Sequence, residues 1–185
     1  MFIQTEATPN PATLKFLPGR EVMTEGVVDF TEVDKALALS PLAAKLFAVE
    51  GVAGVYLGAD FISVTKSSAD DWYMLKPAVL GAIMEHFMSG DPVLVAGADI
   101  DDDVQVDEDD ATVKQIKELI DTRVRPAVAQ DGGDIVFQGF ERGIVYLHMR
   151  GACSGCPSSV VTLKSGIENL LKYYVPEVVE VRAVT

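Results

Sequence analysis

The chain contains 185 residues, 49% of them hydrophobic, and carries a formal net charge of −13. A chain of this length folds as one or two globular domains, and no apolar run reaches the ~18 residues of a membrane-spanning helix. The acidic balance argues against nucleic acid or a membrane surface as a partner. The start at Met1 shows no basic segment followed by an apolar one. We therefore expect a cytoplasmic protein of the bacterial type rather than one of the mitochondrial matrix.

Acidic residues are concentrated in one short segment. Residues 1–95 carry 12 acids and 6 bases, residues 96–110 carry 8 acids and no base, and residues 111–185 carry 8 acids and 9 bases. Because like charges repel, residues 96–110 are predicted to form an extended acidic linker between two domains. Its aspartates lack the glycine and the terminal glutamate of a calcium loop, which excludes that site. Asp109 or Asp110 is placed to cap the helix that follows.

The first domain, residues 1–95, is predicted to be α+β, with a long helix covering an antiparallel sheet. The helix is predicted over residues 72–87, where apolar residues recur at helical spacing, and it ends near Gly90. His86 is interpreted as a histidine at the surface or at the helix end. The remaining predicted elements are strands at 2–6, 13–17, 27–30, 52–57 and 61–65 and a short helix at 42–47.

The second domain, residues 111–185, is predicted to be an αββαβ unit. Its first helix starts near Val113, and we expect Pro126 to kink or shorten it because proline lacks the N–H that a helix interior requires. About 75 residues form only a small core. The later elements are predicted as strands at 135–140 and 144–149, a helix at 157–174 and a strand at 178–184.

The only two cysteines of the chain, Cys153 and Cys156, lie three positions apart on the loop before the last predicted helix. Two thiolates on one tight loop can hold one face of a soft metal centre, and closed zinc or iron–sulfur sites need about four ligands. One chain therefore supplies half of a site, and a two-fold dimer would supply a whole one. Gly151 and Gly155 allow close approach of a bulky ligand or a positive φ.

The start of a helix also favours a thiolate. Pro157 suits the first helical position, which places Cys156 near the N-cap and Cys153 just before it. Unpaired amides and the positive end of the helix dipole lower the pKa of a thiol there. We therefore expect thiolates of lowered pKa on this loop, and we expect the loop itself to be exposed.

Other interpretations of the cysteine pair stay open at this point. A thiol–disulfide oxidoreductase also places such a pair at a helix start. A zinc site would need two more ligands, and the nearest imidazole, His148, lies within a strand, where packing or solvent exposure is the simpler role. A structural disulfide is the remaining alternative, although a chain without an export signal would meet a reducing compartment.

Several motifs resemble the NifU-like (Nfu-type) iron–sulfur proteins. Residues 131–135 (DGGDI), 151–159 (GACSGCPSS) and 162–164 (TLK) are similar to the C-terminal domain of that family. Residues 4–11 (QTEATPNP), followed by Leu14, Lys15 and Phe16, resemble the N-terminal domain of its Nfu subgroup. Together the two resemblances span nearly the whole chain.

The resemblance implies a scaffold and carrier rather than an enzyme. In such proteins a [4Fe-4S] cluster is held between two chains by the cysteines that correspond to Cys153 and Cys156 and is delivered to apo-proteins. We therefore expect a homodimer when the cluster is loaded, a largely monomeric apo form, and a cluster donor and recipient apo-proteins as partners. A [2Fe-2S] cluster fits the same four ligands. The first domain, without a ligand or nucleophile of its own, serves as a stabilising appendage or recognises partners.

Overall fold

The structure is a computed structural model that describes residues 1–67, 69–100, 110–155 and 157–184. The chain divides into two compact units, Met1–Asp102 and Asp103–Thr185, called here the N-terminal and the C-terminal unit. Residues 101–109, most of the predicted acidic linker, lie outside the described residues. The linker and its bounds therefore stay a prediction. In the described part of the chain, no helix combines the length and the hydropathy that a membrane crossing requires.

The N-terminal unit is a five-stranded antiparallel sheet in the order β1-β2-β5-β4-β3, which confirms the predicted α+β class. The strands are Gln4–Ala7 (β1), Thr13–Leu17 (β2), Val28–Phe30 (β3), Val52–Leu57 (β4) and Ile62–Lys66 (β5). Three helices accompany them: Val33–Leu39 (α1), Pro41–Phe47 (α2) and Trp72–Ser89 (α3). Helix α1 was not predicted, because its seven residues show little apolar periodicity.

The core of this unit is formed by the sheet together with α2 and α3, and Leu42 and Leu46 of α2 are fully buried in it. Phe16 and Ile62 from the sheet are fully buried, and α3 contributes Val79 and Ile83 to the same cluster. Helix α3 ends at Gly90, whose φ of 76° is the left-handed conformation that closes many helices. The predicted helix and its end are confirmed here.

The C-terminal unit has the predicted αββαβ order. Its elements are Ala111–Leu119 (α4), a π-helical turn at Ile120–Val124, Arg125–Gln130 (α5), Gly133–Glu141 (β6), Ile144–Gly151 (β7), Pro157–Tyr174 (α6) and Glu180–Val184 (β8). Strand β6 pairs with β7 antiparallel and β7 with β8 parallel, so α6 makes the crossover that a parallel pair requires. The core contains Ile116, Ile135, Leu147 and Leu171.

The first helical segment of this unit differs from the prediction in detail. Asp110 caps α4, since its carboxylate accepts a hydrogen bond of 2.8 Å from the Thr112 N–H, as one of the two predicted alternatives requires. Pro126 does not end the helix. The chain instead makes a π turn, in which the Arg125 N–H donates to the Ile120 carbonyl, and continues as α5 with Pro126 in its first turn.

Candidate functional site

The loop between β7 and α6 carries Cys153 in a sequence of tight turns. The Cys153 N–H donates to the Arg150 carbonyl (3.3 Å) and the Ser154 N–H donates to the Gly151 carbonyl (3.1 Å). Gly151 and Gly155 have φ values of 60° and 77°, a region that side chains with a Cβ adopt at a cost. The glycines therefore shape this loop, as the sequence predicted.

Cys153 is buried, which contradicts the expected exposure. Only 7% of the residue is accessible, and it packs in the core cluster of the C-terminal unit. Its sulfur lies against the backbone of Gly133 at the start of β6, where a Cβ on residue 133 would overlap Sγ. The loop is held to the same segment by the Ala152 N–H, which donates to the Gly132 carbonyl (3.2 Å).

The acidity of Cys153 also differs from the expectation. Burial raises the pKa of the Cys153 thiol to about 12, and the negative charges of Asp131 and Asp134 act in the same direction. A hydrogen bond from the backbone N–H of Asp134 to the sulfur favours the thiolate but does not offset these effects. The dipole of α6 acts within its first turn, which begins at Pro157, whereas Cys153 precedes the helix and is desolvated. In this conformation Cys153 is a neutral thiol.

A half-buried ion pair, with a buried carboxylate and an arginine side chain that is 34% exposed, adjoins the cysteine, and the sequence analysis did not predict it. Asp134 is 4% exposed, and both of its oxygens accept from Arg125: Nε–Oδ1 is 2.9 Å and Nη2–Oδ2 is 3.0 Å. Asp121 lies 3.5 Å from Nη1 of the same guanidinium. The signal was present in the sequence, because an acid at the start of an apolar strand requires a cation nearby.

The second predicted ligand, Cys156, lies outside the described residues, so the structure does not test whether the two sulfurs meet. His148 is half-buried on β7, in keeping with a packing role. Across residues 1–67, 69–100, 110–155 and 157–184, no group of three or more His, Cys, Asp or Glu side chains could hold a metal ion.

Two family matches cover most of the chain. Residues 3–90 match the family described as "Scaffold protein Nfu/NifU N terminal", and residues 116–182 match the "NifU-like domain".

Relatives of similar sequence are found in fruit flies. The chain is 53% identical over 185 residues to a Drosophila sechellia protein named "NFU1 iron-sulfur cluster scaffold homolog, mitochondrial", and 52% identical to the protein of the same name from Drosophila virilis. The whole chain is matched in each case, and it spans 65% and 62% of the length of these relatives.

Two solved structures resemble parts of the chain. An NMR structure of a NifU-like protein from Saccharomyces cerevisiae has 25% sequence identity and a TM-score of 0.46, covering 52% of this chain and 86% of its own. A crystal structure of a Staphylococcus aureus protein has 28% identity and a TM-score of 0.40, covering 44% of this chain and 98% of its own. Both scores are low, so the architecture above rests on this chain's own structure.

The expectation of a cytoplasmic protein of the bacterial type is wrong. The similar relatives are named as mitochondrial proteins, which points to the mitochondrion. The expectation rested on the residues after Met1, and these carry no information on location when the chain matches only 65% of a relative.

The resemblance seen in the sequence motifs is confirmed over both units. The first unit matches the Nfu/NifU N-terminal family and the second the NifU-like domain, with relatives at about half identity along the full length of the chain. The chain belongs to the NifU-like (Nfu-type) family.

Proposed function

We propose that the chain is a mitochondrial iron–sulfur cluster scaffold and carrier that receives a cluster from a donor and delivers it to apo-proteins. The observation that carries this proposal is the single cysteine pair, Cys153 and Cys156, within a domain that matches the NifU-like family. The names of the fly relatives, which describe cluster scaffolds, support it and support a role other than enzymatic catalysis.

In this proposal Cys153 and Cys156 of two chains hold one [4Fe-4S] cluster as cargo. Thiolate sulfur is the ligand that iron–sulfur clusters require, and two thiols per chain make four at a two-fold interface. Loss of the cluster then removes the bridge between the chains, which is the property a carrier needs.

Loading must overcome the burial of Cys153. The sulfur lies in the core of the C-terminal unit as a neutral thiol, so the loop has to turn it outward, and the thiol proton must leave as iron binds. The same burial weighs against the alternative of a thiol–disulfide oxidoreductase, whose attacking sulfur must be an accessible thiolate.

The proposal is tested by anaerobic reconstitution with iron and sulfide, followed by visible absorbance, analysis of iron and sulfide, and light scattering. We expect one [4Fe-4S] cluster per two chains, a dimeric loaded form and a largely monomeric apo form. Half of that iron and sulfide per dimer would indicate a [2Fe-2S] cluster instead.

The ligand assignment is tested by Cys153→Ser and Cys156→Ser. Each variant should keep the fold, measured by circular dichroism, and lose stable cluster binding, because only two thiolates, one from each chain, then remain at the interface for a cluster that needs about four. A single variant that reached the iron content of the wild type would contradict the assignment of that cysteine as a ligand.

A further inference from the structure

We propose that Arg125 and Asp134 are positioning residues for Cys153: the guanidinium fixes the Asp134 carboxylate, and with it the start of β6, where the Gly133 backbone lies against the cysteine sulfur. This inference rests on the proposed function, since it assigns residues that set the place of a cluster ligand. It is carried by geometry that joins α5, the start of β6 and the cysteine loop.

The Arg125–Asp134 pair has the form of a clamp. Two parallel hydrogen bonds of 2.9 Å and 3.0 Å join the planar guanidinium to the planar carboxylate, an arrangement that fixes distance and orientation together. Asp134 is 4% exposed, so its charge depends on this partner rather than on water. Lysine offers one point charge and cannot reproduce both bonds.

The π turn determines the position of Arg125, one of the two residues of the clamp. It ends at Val124, and the N–H of the next residue, Arg125, donates to the Ile120 carbonyl five residues earlier. Asp121 within the turn lies 3.5 Å from the guanidinium. The extra residue of a π turn shifts the side chains after it around the helix, relative to a regular α-helix. The turn therefore sets the direction from which Arg125 reaches β6.

The Asp134 end of the clamp adjoins the backbone that contacts the cysteine sulfur. The backbone of Gly133, the residue before Asp134, lies against Sγ of Cys153. On β7, Gly151 is the register partner of Gly133, and the Ala152 N–H donates to the Gly132 carbonyl (3.2 Å). Because Asp134 is held by Arg125, the backbone next to it stays in place against the sulfur.

The consequence is a defined effect of breaking the clamp. Without Arg125 the Asp134 carboxylate is buried without its main cation and must move toward water, which displaces the adjoining Gly133 backbone from the sulfur. The Cys153 side chain should then leave its buried position more often in the apo chain. In the loaded dimer, a ligand that is held less well should release the cluster faster.

The test uses a chain with a single thiol, since Cys156→Ser leaves Cys153 as the only cysteine. The probe is iodoacetamide, and the rate of Cys153 alkylation in the apo protein is measured by mass spectrometry at one pH. We expect Arg125→Gln to accelerate alkylation by about tenfold or more, because the buried Asp134 carboxylate loses its partner. Asp134→Asn should accelerate it too, but that variant also removes a negative charge that raises the pKa of the thiol, so Arg125→Gln decides the test. Arg125→Lys should restore part of the wild-type protection.

Two control variants distinguish a specific effect on the position of Cys153 from a general loss of stability of the C-terminal unit. Arg182→Gln breaks another two-bond pair of the same unit, the exposed one with Glu180 (3.1 Å and 3.2 Å), and should leave the alkylation rate unchanged. Val181→Ala removes buried core volume on β8 away from the clamp. At a matched loss of stability in urea, it should accelerate alkylation less than Arg125→Gln does.

A second readout follows the cluster itself in chains that keep Cys156. Cluster loss to an iron chelator should be about tenfold faster in Asp134→Asn than in the wild type, and unchanged in Arg182→Gln. A wild-type alkylation rate in Arg125→Gln would overturn the positioning role. A wild-type chain that takes up no cluster would overturn the proposed function instead, and the alkylation result would still decide whether the clamp places Cys153.

Discussion

Gly133 is the residue whose lack of a side chain makes room for the sulfur of Cys153. A Cβ at this position would overlap Sγ and would lie 2.9 Å from the Cys153 nitrogen and 3.2 Å from the Arg150 oxygen. Two of these three neighbours are backbone atoms of the cysteine loop and cannot rotate away. The buried position of the Cys153 side chain therefore depends on a glycine at residue 133.

We expect Gly133→Ala to destabilise the C-terminal unit by about 1–3 kcal/mol, the usual cost of overpacking, and to displace Cys153. The measurement is urea unfolding followed by far-UV circular dichroism, together with Cys153 alkylation in the Cys156→Ser background. Gly139→Ala is the matched control, because the same strand leaves open space at residue 139. A variant at residue 133 as stable and as slowly alkylated as the control would show that the contact is not needed.

At the cysteine, the sequence predicted the residue types and the loop but not the environment. The spacing of the pair, the two glycines and Pro157 are local signals, and the strand, loop and helix were found at the expected places. The burial of Cys153 depends instead on Gly133, which is twenty residues earlier in the chain. Contacts of that kind leave no periodic signal, so the expected exposed thiolate was wrong.

Among the elements, those with strong periodicity were predicted closely and those set by a neighbour were not. Helix α6 has the predicted bounds, and β2 and β4 agree residue by residue. The path through Pro126 was predicted as a kink or an early end, because the missing N–H of proline is visible in a sequence. A π turn that accommodates that proline depends on tertiary packing, and no sequence pattern announced it.

Helix α3 contains a histidine that the sequence analysis placed at the surface or at the helix end. His86 is fully buried, and among the described residues neither ring nitrogen has a hydrogen-bond partner. Burial lowers its pKa below the ordinary value of 6.5, the positive charges of Lys45 and Arg20 act in the same direction, and Asp91 opposes them. The helix-end position is confirmed, since His86 lies in the last turn of α3, but the surface position is wrong because residue 86 lies on the helix face that also carries the buried Val79 and Ile83.

This histidine should make the N-terminal unit sensitive to acid. The folded-state pKa of His86 lies below the unfolded value, so the unfolded chain binds more protons as the pH falls through 6.5. The contribution of neutral His86 to the stability of the N-terminal unit is therefore fully present above that pH and decreases as the pH falls below it. We expect the urea concentration at the unfolding midpoint of the wild type to decrease when the pH is lowered from about 7.5 to about 5. The midpoint of His86→Leu should decrease less over the same pH range.

The measurement can be confined to one unit. Trp72 is the only tryptophan of the chain; it begins α3, and its ring N–H donates to the Pro11 carbonyl (3.1 Å), so its fluorescence reports the N-terminal unit. His148→Gln, which changes the other histidine and lies in the C-terminal unit, is the control and should unfold like the wild type. Equal pH dependence of wild type and His86→Leu would contradict the role assigned to His86.

At the scale of the whole molecule, chemistry and charge are divided between the two units. Each unit has its own core and its own sheet, and both cysteines belong to the second. Residues 1–95 carry twice as many acids as bases, and residues 96–110 carry acids alone. The αββαβ order of the second unit was predicted from local sequence patterns, whereas no sequence motif indicates the function of the first unit.

We propose that the N-terminal unit and the acidic segment after it recognise basic surfaces of donor or recipient proteins and keep the cluster-binding unit near them. A fragment of residues 110–185, which retains the Asp110 cap of α4, should still assemble a cluster, because its core and cysteines are complete. At low salt it should transfer that cluster several-fold more slowly than the full chain to an apo-protein that accepts it from both. The difference should narrow as added salt screens the charges. Transfer rates are followed by the gain of cluster absorbance in the separated recipient. Equal rates for fragment and full chain at low salt would leave the N-terminal unit as a stabilising appendage.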